Sequence, residues 1–147
     1  DRLRDLNPRA ILAGTESGVE LADQLATALT PEFANAPELS KARRHKGLMQ
    51  EALVKVGLPV IPTLNTSSAE EVRAWLADQL LFDSPLVLKP PASAGSDNVH
   101  HIPAGGDWRK AFDLILSSSA ALGGKTNESV IVQEQAIGKI RRQMREF

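Results

Sequence analysis

Hydrophobic and polar positions along this chain fall into two alternating patterns, short apolar runs and stretches with apolar residues three or four apart. After the Asn7-Pro8 turn, the apolar run within Arg9–Gly14 predicts a short strand. Thr15-Glu16-Ser17-Gly18 then leads into a predicted helix over Val19–Leu29, with apolar positions 21, 22, 25, 28 and 29 at helical spacing. Strand, glycine-bearing turn and helix predict a β–α unit of an open parallel sheet, whose loop after the strand faces the ligand crevice. Glu16 sits in that loop, either as a substrate contact or as a first-turn acid favouring the helix dipole. Thr30–Glu38 is a predicted loop broken by Pro31 and Pro37.

Ser40–Val56 is the next predicted helix, capped by Ser40, stopped by Gly57, and apolar at Leu48, Met49, Ala52, Leu53 and Val56. Leu58–Thr63 predicts a short strand, with Pro59 and Pro62 suggesting an edge or an end. A capping box at Ser67…Glu70 or Ser68…Glu71 opens a helix to about Leu81, presenting Val72, Trp75, Leu76 and Leu80 to a core. Leu86-Val87-Leu88 between prolines predicts a strand buried on both faces, ended by Lys89. Asn98–Ile102 predicts its partner strand. Asp107–Leu122 predicts a helix with Trp108, Ala111, Phe112, Ile115 and Leu116 on one face, stopped by Gly123-Gly124. Ser129–Glu134 predicts a last strand that switches abruptly from apolar to charged.

Two places carry candidate chemistry. Lys89 ends a strand where an unpaired ammonium costs several kcal/mol to desolvate. The small residues Ser93, Ala94, Gly95 and Ser96 follow it and leave backbone N–H groups and hydroxyls free to approach an anion. Lys41, Arg43, Arg44 and Lys46 put positive charge at a helix start, against its dipole. A bound polyphosphate explains both; a snorkelling lysine and a solvated basic face are the alternatives. The stretch is not a P-loop, because no Gly-Lys-Ser/Thr follows the glycine. His100-His101 does not suggest a metal, since adjacent strand residues point to opposite faces.

The chain has 147 residues, 42% hydrophobic and 24% charged, long enough to bury a real core. A net charge of −1 with dispersed basic residues argues against a nucleic-acid surface. With no cysteine, disulfides and thiolate metal sites are excluded. No apolar stretch reaches membrane-spanning length and the charged start is no signal peptide, so no membrane partner and a cytoplasmic location are expected.

Taken together, several motifs resemble an ATP-grasp domain. They are Arg43-Arg44-His45-Lys46 with Met49, Gly57-Leu58-Pro59-Val60, Pro85-Leu86-Val87-Leu88-Lys89-Pro90, Gly95-Ser96-Asp97-Asn98-Val99, and Val132-Gln133-Glu134 with Gly138. The turn with Glu16 and its helix resemble the tail of a pre-ATP-grasp domain. The likeness spans about residues 9–138 and is greatest to carboxylate–amine ligases of the L-amino-acid ligase kind. It implies an α/β fold, a partial ATP-grasp fold with part of a Rossmann-like pre-ATP-grasp domain. The expected division is residues 1–39 for that preceding domain, 40–138 for the first ATP-grasp subdomain, and 139–147 for a tail.

The resemblance implies that Lys46 and Lys89 contact the phosphates of ATP, and that the loop Ser93, Ala94, Gly95 and Ser96 folds over them. It implies that Gln133 and Glu134 lead into the hinge at the adenine edge. The expected reaction is ATP-dependent amide formation through an acyl phosphate, with Mg²⁺ as metal cofactor. A carboxylate and an amine, most simply amino acids, would be the small-molecule substrates, and such ligases are often homodimers. A non-catalytic nucleotide-binding module is the alternative. Two departures bear on this: Lys139-Ile140-Arg141-Arg142 follows Gly138 where relatives place an acidic residue, and no second subdomain with metal ligands is evident. The chain is therefore expected to be a fragment, inactive by itself, with its catalytic residues not identifiable.

Overall fold

Thr63–Thr66 (β1), Leu86–Lys89 (β2), His100–Ile102 (β3) and Val130–Glu134 (β4) form one antiparallel sheet in the order β1-β4-β2-β3. The computed structural model describes residues 2–119, 126–136 and 138. β4 lies between β1 and β2, and its Val130, Ile131 and Val132 are all fully buried. It is thus β4 that is covered on both faces. β2, expected to be buried on both, alternates instead: Leu86 and Leu88 are buried, while Val87 and Lys89 are half-buried on the opposite face.

The two faces of the sheet differ in chemistry because side chains alternate along each strand. One face carries Leu64, Leu86, Leu88, Ile102, Val130 and Val132 and packs against two helices, Ala69–Asp78 (α5) and Arg109–Ser117 (α6). Val72 and Leu76 of α5 and Ala111, Phe112 and Ile115 of α6 complete this core. Trp108 meets the Phe112 ring edge-on, with centroids 5.9 Å apart. α6 ends at Ser117 rather than running to Leu122; residues 120–125, including Gly123-Gly124, lie outside the described residues, as does 139–147.

The other face carries Thr63, Asn65, Val87, Lys89, Ile131 and Gln133. Of the N-terminal helices, the short Arg2–Asp5 (α1), Val19–Leu29 (α2), Ser40–Arg44 (α3) and Lys46–Lys55 (α4), it is α4 that packs on the sheet, with α3 against α4 and α2 against α3. α4 reaches the sheet through Gly47, where an added Cβ would stand 3.0 Å from Cβ of Asn65.

Several expectations are corrected here. Arg9–Gly14 is irregular, because no strand among the described residues lies beside it to satisfy its backbone. Among the described residues there is accordingly no parallel β–α unit, and the sheet is antiparallel throughout. Glu16–Gly18 is a 3₁₀ turn. The Leu58–Thr63 strand begins only at Thr63, since Pro59 and Pro62 have no N–H to donate to a ladder. The Ser40–Val56 helix is broken at His45, whose φ −100° and ψ 112° are extended. Its stop at Gly57 holds, with φ +73° and the Gly57 and Leu58 N–H groups bonded back to Val54 and Leu53.

Ser40 does not cap: its hydroxyl donates to Asp23 Oδ2 at 2.7 Å. That contact explains why α2 buries Asp23 and Ala26 and leaves Leu21 and Ala28 exposed. Asp23, only 6% exposed, also accepts from Asn35 at 3.1 Å and pairs with Arg43 at 2.9 Å, fastening α2 to α3. The Ser40 hydroxyl and Asn35 amide, with Arg43 behind them, hold its carboxyl below the usual range, while burial opposes them. A carboxyl lowered in the folded state stabilises above its unfolded pKa and loses that stabilisation as pH falls through the folded value. Urea titrations between pH 7 and pH 3 should therefore show stability declining below about pH 4, and Asp23→Asn should flatten that decline while lowering stability at pH 7 by about 1–3 kcal/mol. Equal pH slopes for both proteins would remove Asp23 from the acid transition.

Leu80, expected on the core face, is instead 87% exposed. α5 ends at Asp78, Leu80 takes a left-handed φ of +56°, and Leu81 turns into the core with its N–H on the Leu76 carbonyl at 2.9 Å. A leucine in that conformation costs roughly 1–2 kcal/mol that glycine avoids. Leu80→Gly should therefore raise the urea midpoint by the equivalent of about 1 kcal/mol, and a fall would mean that the leucine side chain contributes packing at this turn.

Candidate functional site

β2 delivers Lys89 to the polar face of the sheet, beside the register pair Val87 and Gln133 on β2 and β4. Lys89 Nζ donates to Gln133 Oε1 at 2.7 Å. The Gln133 amide, 8% exposed, donates onward to Thr63 Oγ1 at 2.9 Å, and that hydroxyl donates to the Ile61 carbonyl at 2.8 Å. Three strands thus fix the direction of one ammonium group. The bond fixes Lys89 without neutralising it, because an amide oxygen carries no charge.

Lys46, the first residue of α4, reaches the same region from the other side. Its Nζ donates to the Ser93 carbonyl at 2.9 Å and lies 3.4 Å from the Ser93 hydroxyl. Its backbone N–H donates to the Pro91 carbonyl at 2.8 Å, so helix start and small-residue loop are joined twice. Burial, then the nearby Lys89 and Arg44 charges, hold the Lys46 pKa below the ordinary lysine value, with Glu16 opposing. Burial lowers Lys89 as well. Among the described residues neither lysine is ion-paired with a carboxylate. Of the other three basic residues of the segment, Lys41, Arg43 and Arg44, the two arginines are committed: Arg43 to Asp23 and Arg44 to Glu16, the latter at 3.2 Å.

The loop itself is held mostly at its ends. Gly95, Ser96 and Asn98 all have left-handed φ values, +65°, +61° and +52°. Asn98 anchors the far end, donating to Ser118 Oγ at 2.7 Å and bonding His100 Nε2 at 2.6 Å. Ala94 and Ser96 bond only within the loop, through their carbonyls to Asp97 and Val99. Gly95 and Ser96 are exposed.

The structure therefore joins Lys46 to Ser93 and Lys89 to Gln133, with the Lys89 charge near enough to act on Lys46, while no hydrogen bond ties Ala94, Gly95 or Ser96 to either lysine. Glu16 stands at the rim through Arg44. Glu134 does not join them: it pairs with Leu86 in register, which puts it on the face opposite Gln133, and its N–H is bonded to the Pro62 carbonyl at 3.1 Å. Thr63, which accepts from Gln133, and His45, which caps α4, hold these groups in place with little local signal in the sequence, since one partner lies 70 residues away and the other depends on a break inside a helical pattern.

The donor types suit a polyphosphate: two half-buried cations, loop hydroxyls and a glycine-bearing loop. Among the described residues no three of His, Cys, Asp and Glu gather to hold a metal ion by themselves. No described helix is long and apolar enough to cross a membrane.

No family model matches the chain. Among curated proteins the chain is similar to dapdiamide A synthase of Enterobacter agglomerans, at 39% identity over 138 residues. The match takes in 94% of this chain and 32% of the relative, so the chain spans about a third of that protein's length.

Proposed function

We propose that this chain carries the phosphate-binding part of an ATP-dependent carboxylate–amine ligase of the ATP-grasp type. The observation that carries the reading is the Lys46–Lys89 pair, two half-buried ammonium groups near each other with no carboxylate between them among the described residues. Like charges in a partly desolvated place are unfavourable unless an anion joins them. The similarity to a synthase over 94% of the chain supports a bond-forming enzyme. Residues 1–39 then belong to a preceding domain, 40–138 to the nucleotide-binding subdomain and 139–147 to a separate tail.

In this reading ATP lies with its phosphates between Lys46, Lys89 and the Ser93–Ser96 loop. The γ-phosphoryl group passes to a carboxylate oxygen and the bond to ADP breaks. An amine then attacks the acyl carbon, loses a proton and expels phosphate. The two lysines stabilise charge on the transferring group, which is where positioning and electrostatics act in phosphoryl transfer. No step is assigned to a metal, and Glu16 at the rim is a contact for substrate or for its own Arg44. Amino acids are the substrate class proposed. In full-length protein, release of ADP should require both a carboxylate and an amine from an amino-acid panel. ATP binding with no such release under any pair would favour a nucleotide-binding module.

Loop closure gives a further expected outcome. With few apolar contacts between Pro91 and Asn98, local opening should be cheap in the free protein. Hydrogen exchange at Ala94, Gly95 and Ser96 should slow about tenfold or more with a nonhydrolysable ATP analogue. Unchanged exchange would deny this loop a covering role.

A further inference from the structure

We propose that the neutral imidazole of His45 positions Lys46 for the polyphosphate, and that protonating this ring releases the start of α4 and the lysine with it. The inference rests on the phosphate-binding role given to Lys46 above, and it adds a residue that holds Lys46 in place and a condition under which the hold is lost.

His45 sits where the helical pattern of residues 40–56 breaks. Its backbone is extended, its N–H donates to the Lys41 carbonyl at 2.8 Å, and its carbonyl accepts from Met49 at 2.9 Å. It therefore closes α3 and opens α4 at the same time. The opening depends on the side chain, because Nδ1 accepts the Leu48 N–H at 3.2 Å. A backbone N–H can only donate, so Nδ1 must carry a lone pair and the ring proton of the neutral form is on Nε2. This does with an imidazole what Ser, Thr, Asp or Asn usually does at a helix start. The next residue is Lys46, bonded through N–H to Pro91 and through Nζ to Ser93. Cap, lysine and loop are thus consecutive links of one chain of hydrogen bonds.

An imidazolium cannot make this bond, because both nitrogens then carry protons. It would also add positive charge at a helix N-terminus beside Lys46, which is unfavourable twice over. Glu51 of α4 and Glu128, just before β4, favour the charged ring, and Lys46 disfavours it; the loop residues Pro91 and Ala92 beside the ring have nothing to titrate. Burial outweighs the ring's hydrogen bond to its own backbone, which favours the charged form more than either acid does, and holds the ring below the ordinary imidazole range. A cavity of about 210 Å³ lined by His45, Pro91, Ala92, Asn127, Glu128 and Ser129 gives the ring a place to turn when the cap is lost. With a folded-state pKa below the unfolded one, the cap is fully present above about pH 6.5 and is lost as pH falls further.

The test compares full-length wild type with His45→Asn, which caps without titrating, and His45→Ala, which cannot cap. Calorimetry gives ATP affinity from pH 7.5 to pH 5, and ¹⁵N resonances of His45 and Leu48 follow the cap in the absence of nucleotide. At pH 7.5 His45→Asn should bind within about twofold of wild type and His45→Ala about threefold to tenfold more weakly. As pH falls through the midpoint of the His45 ring, wild type should fall toward the level of His45→Ala relative to His45→Asn, a ratio from which protonation of ATP itself cancels. The Leu48 amide should move with the same midpoint as the His45 ring. Parallel pH profiles for wild type and His45→Asn, or a Leu48 amide indifferent to the ring's protonation, would overturn the inference and leave the phosphate reading standing. If none of the three proteins binds ATP at any pH, the phosphate reading falls and the positioning role with it.

Discussion

Lys89→Ala is expected to weaken ATP binding by about 1.5–3 kcal/mol, roughly tenfold to 150-fold, the usual range for a hydrogen bond to a charged group. The variant should do so without harming the fold. Lys89 is half-buried, and in the free protein its charge faces that of Lys46, so removing it relieves a repulsion. Against that relief stands the loss of its 2.7 Å bond to Gln133 Oε1, whose amide still holds Thr63. The two effects are of similar size, so stability in urea should stay within about 1 kcal/mol of wild type. The Lys46 ammonium should also titrate at higher pH in the variant, because one of the charges that lower it is gone. Calorimetry, urea unfolding and the Lys46 ¹³Cε titration together separate a ligand contact from a structural one. Unchanged affinity would make Lys89 an ordinary half-buried lysine; a large loss of stability would make it structural.

The largest effect on stability is expected at the opposite face of the sheet. Phe112→Ala should cost about 3–5 kcal/mol. The ring is fully buried among the residues that α5, α6 and the sheet contribute, and Trp108 stacks edge-on against it. Little could collapse into the space, because Leu88, Ile115, Val130 and Val132 around that core are themselves fully buried in regular elements. Leu114→Ala, two residues along the same helix but half exposed, should cost less than about 1 kcal/mol. Urea unfolding of both variants checks the contrast. Similar losses at the two positions would place the core elsewhere than between α6 and the sheet.

The sequence is most legible where a local pattern and a burial requirement coincide. Val72 and Leu76 on α5, and Ala111, Phe112 and Ile115 on α6, are buried as their helical spacing predicts; β2 and β4 form where apolar runs predict strands, and β3 forms within the expected partner strand Asn98–Ile102, from His100 on. Lys89 is readable for the same reason, since a lysine ending such a run has to go somewhere polar. The failures share a cause of another kind. Arg9–Gly14 has a strand's composition but no neighbouring strand among the described residues, and composition cannot supply one. The break at His45 was hidden because residues on both sides keep helical spacing, and a histidine side chain as helix cap is not among the usual start signals. The parallel sheet expected from one β–α order gave way to antiparallel pairing of β4 with both β1 and β2, which depends on contacts some 45 to 70 residues apart in the chain. Gln133 belongs to the same class: the resemblance implies only that it leads into the hinge at the adenine edge, and its bonds to Lys89 and Thr63 appear once three strands are in register.

The proposal as a whole turns on where the γ-phosphoryl group goes. Full-length protein supplied with ATP, an amine and an amino acid labelled with ¹⁸O in its carboxylate should release ADP and phosphate in step. One ¹⁸O should appear in that phosphate, because the oxygen that takes the phosphoryl group leaves with it when the amine attacks. Phosphate free of ¹⁸O, or AMP and pyrophosphate in place of ADP, would contradict transfer to a carboxylate between Lys46 and Lys89.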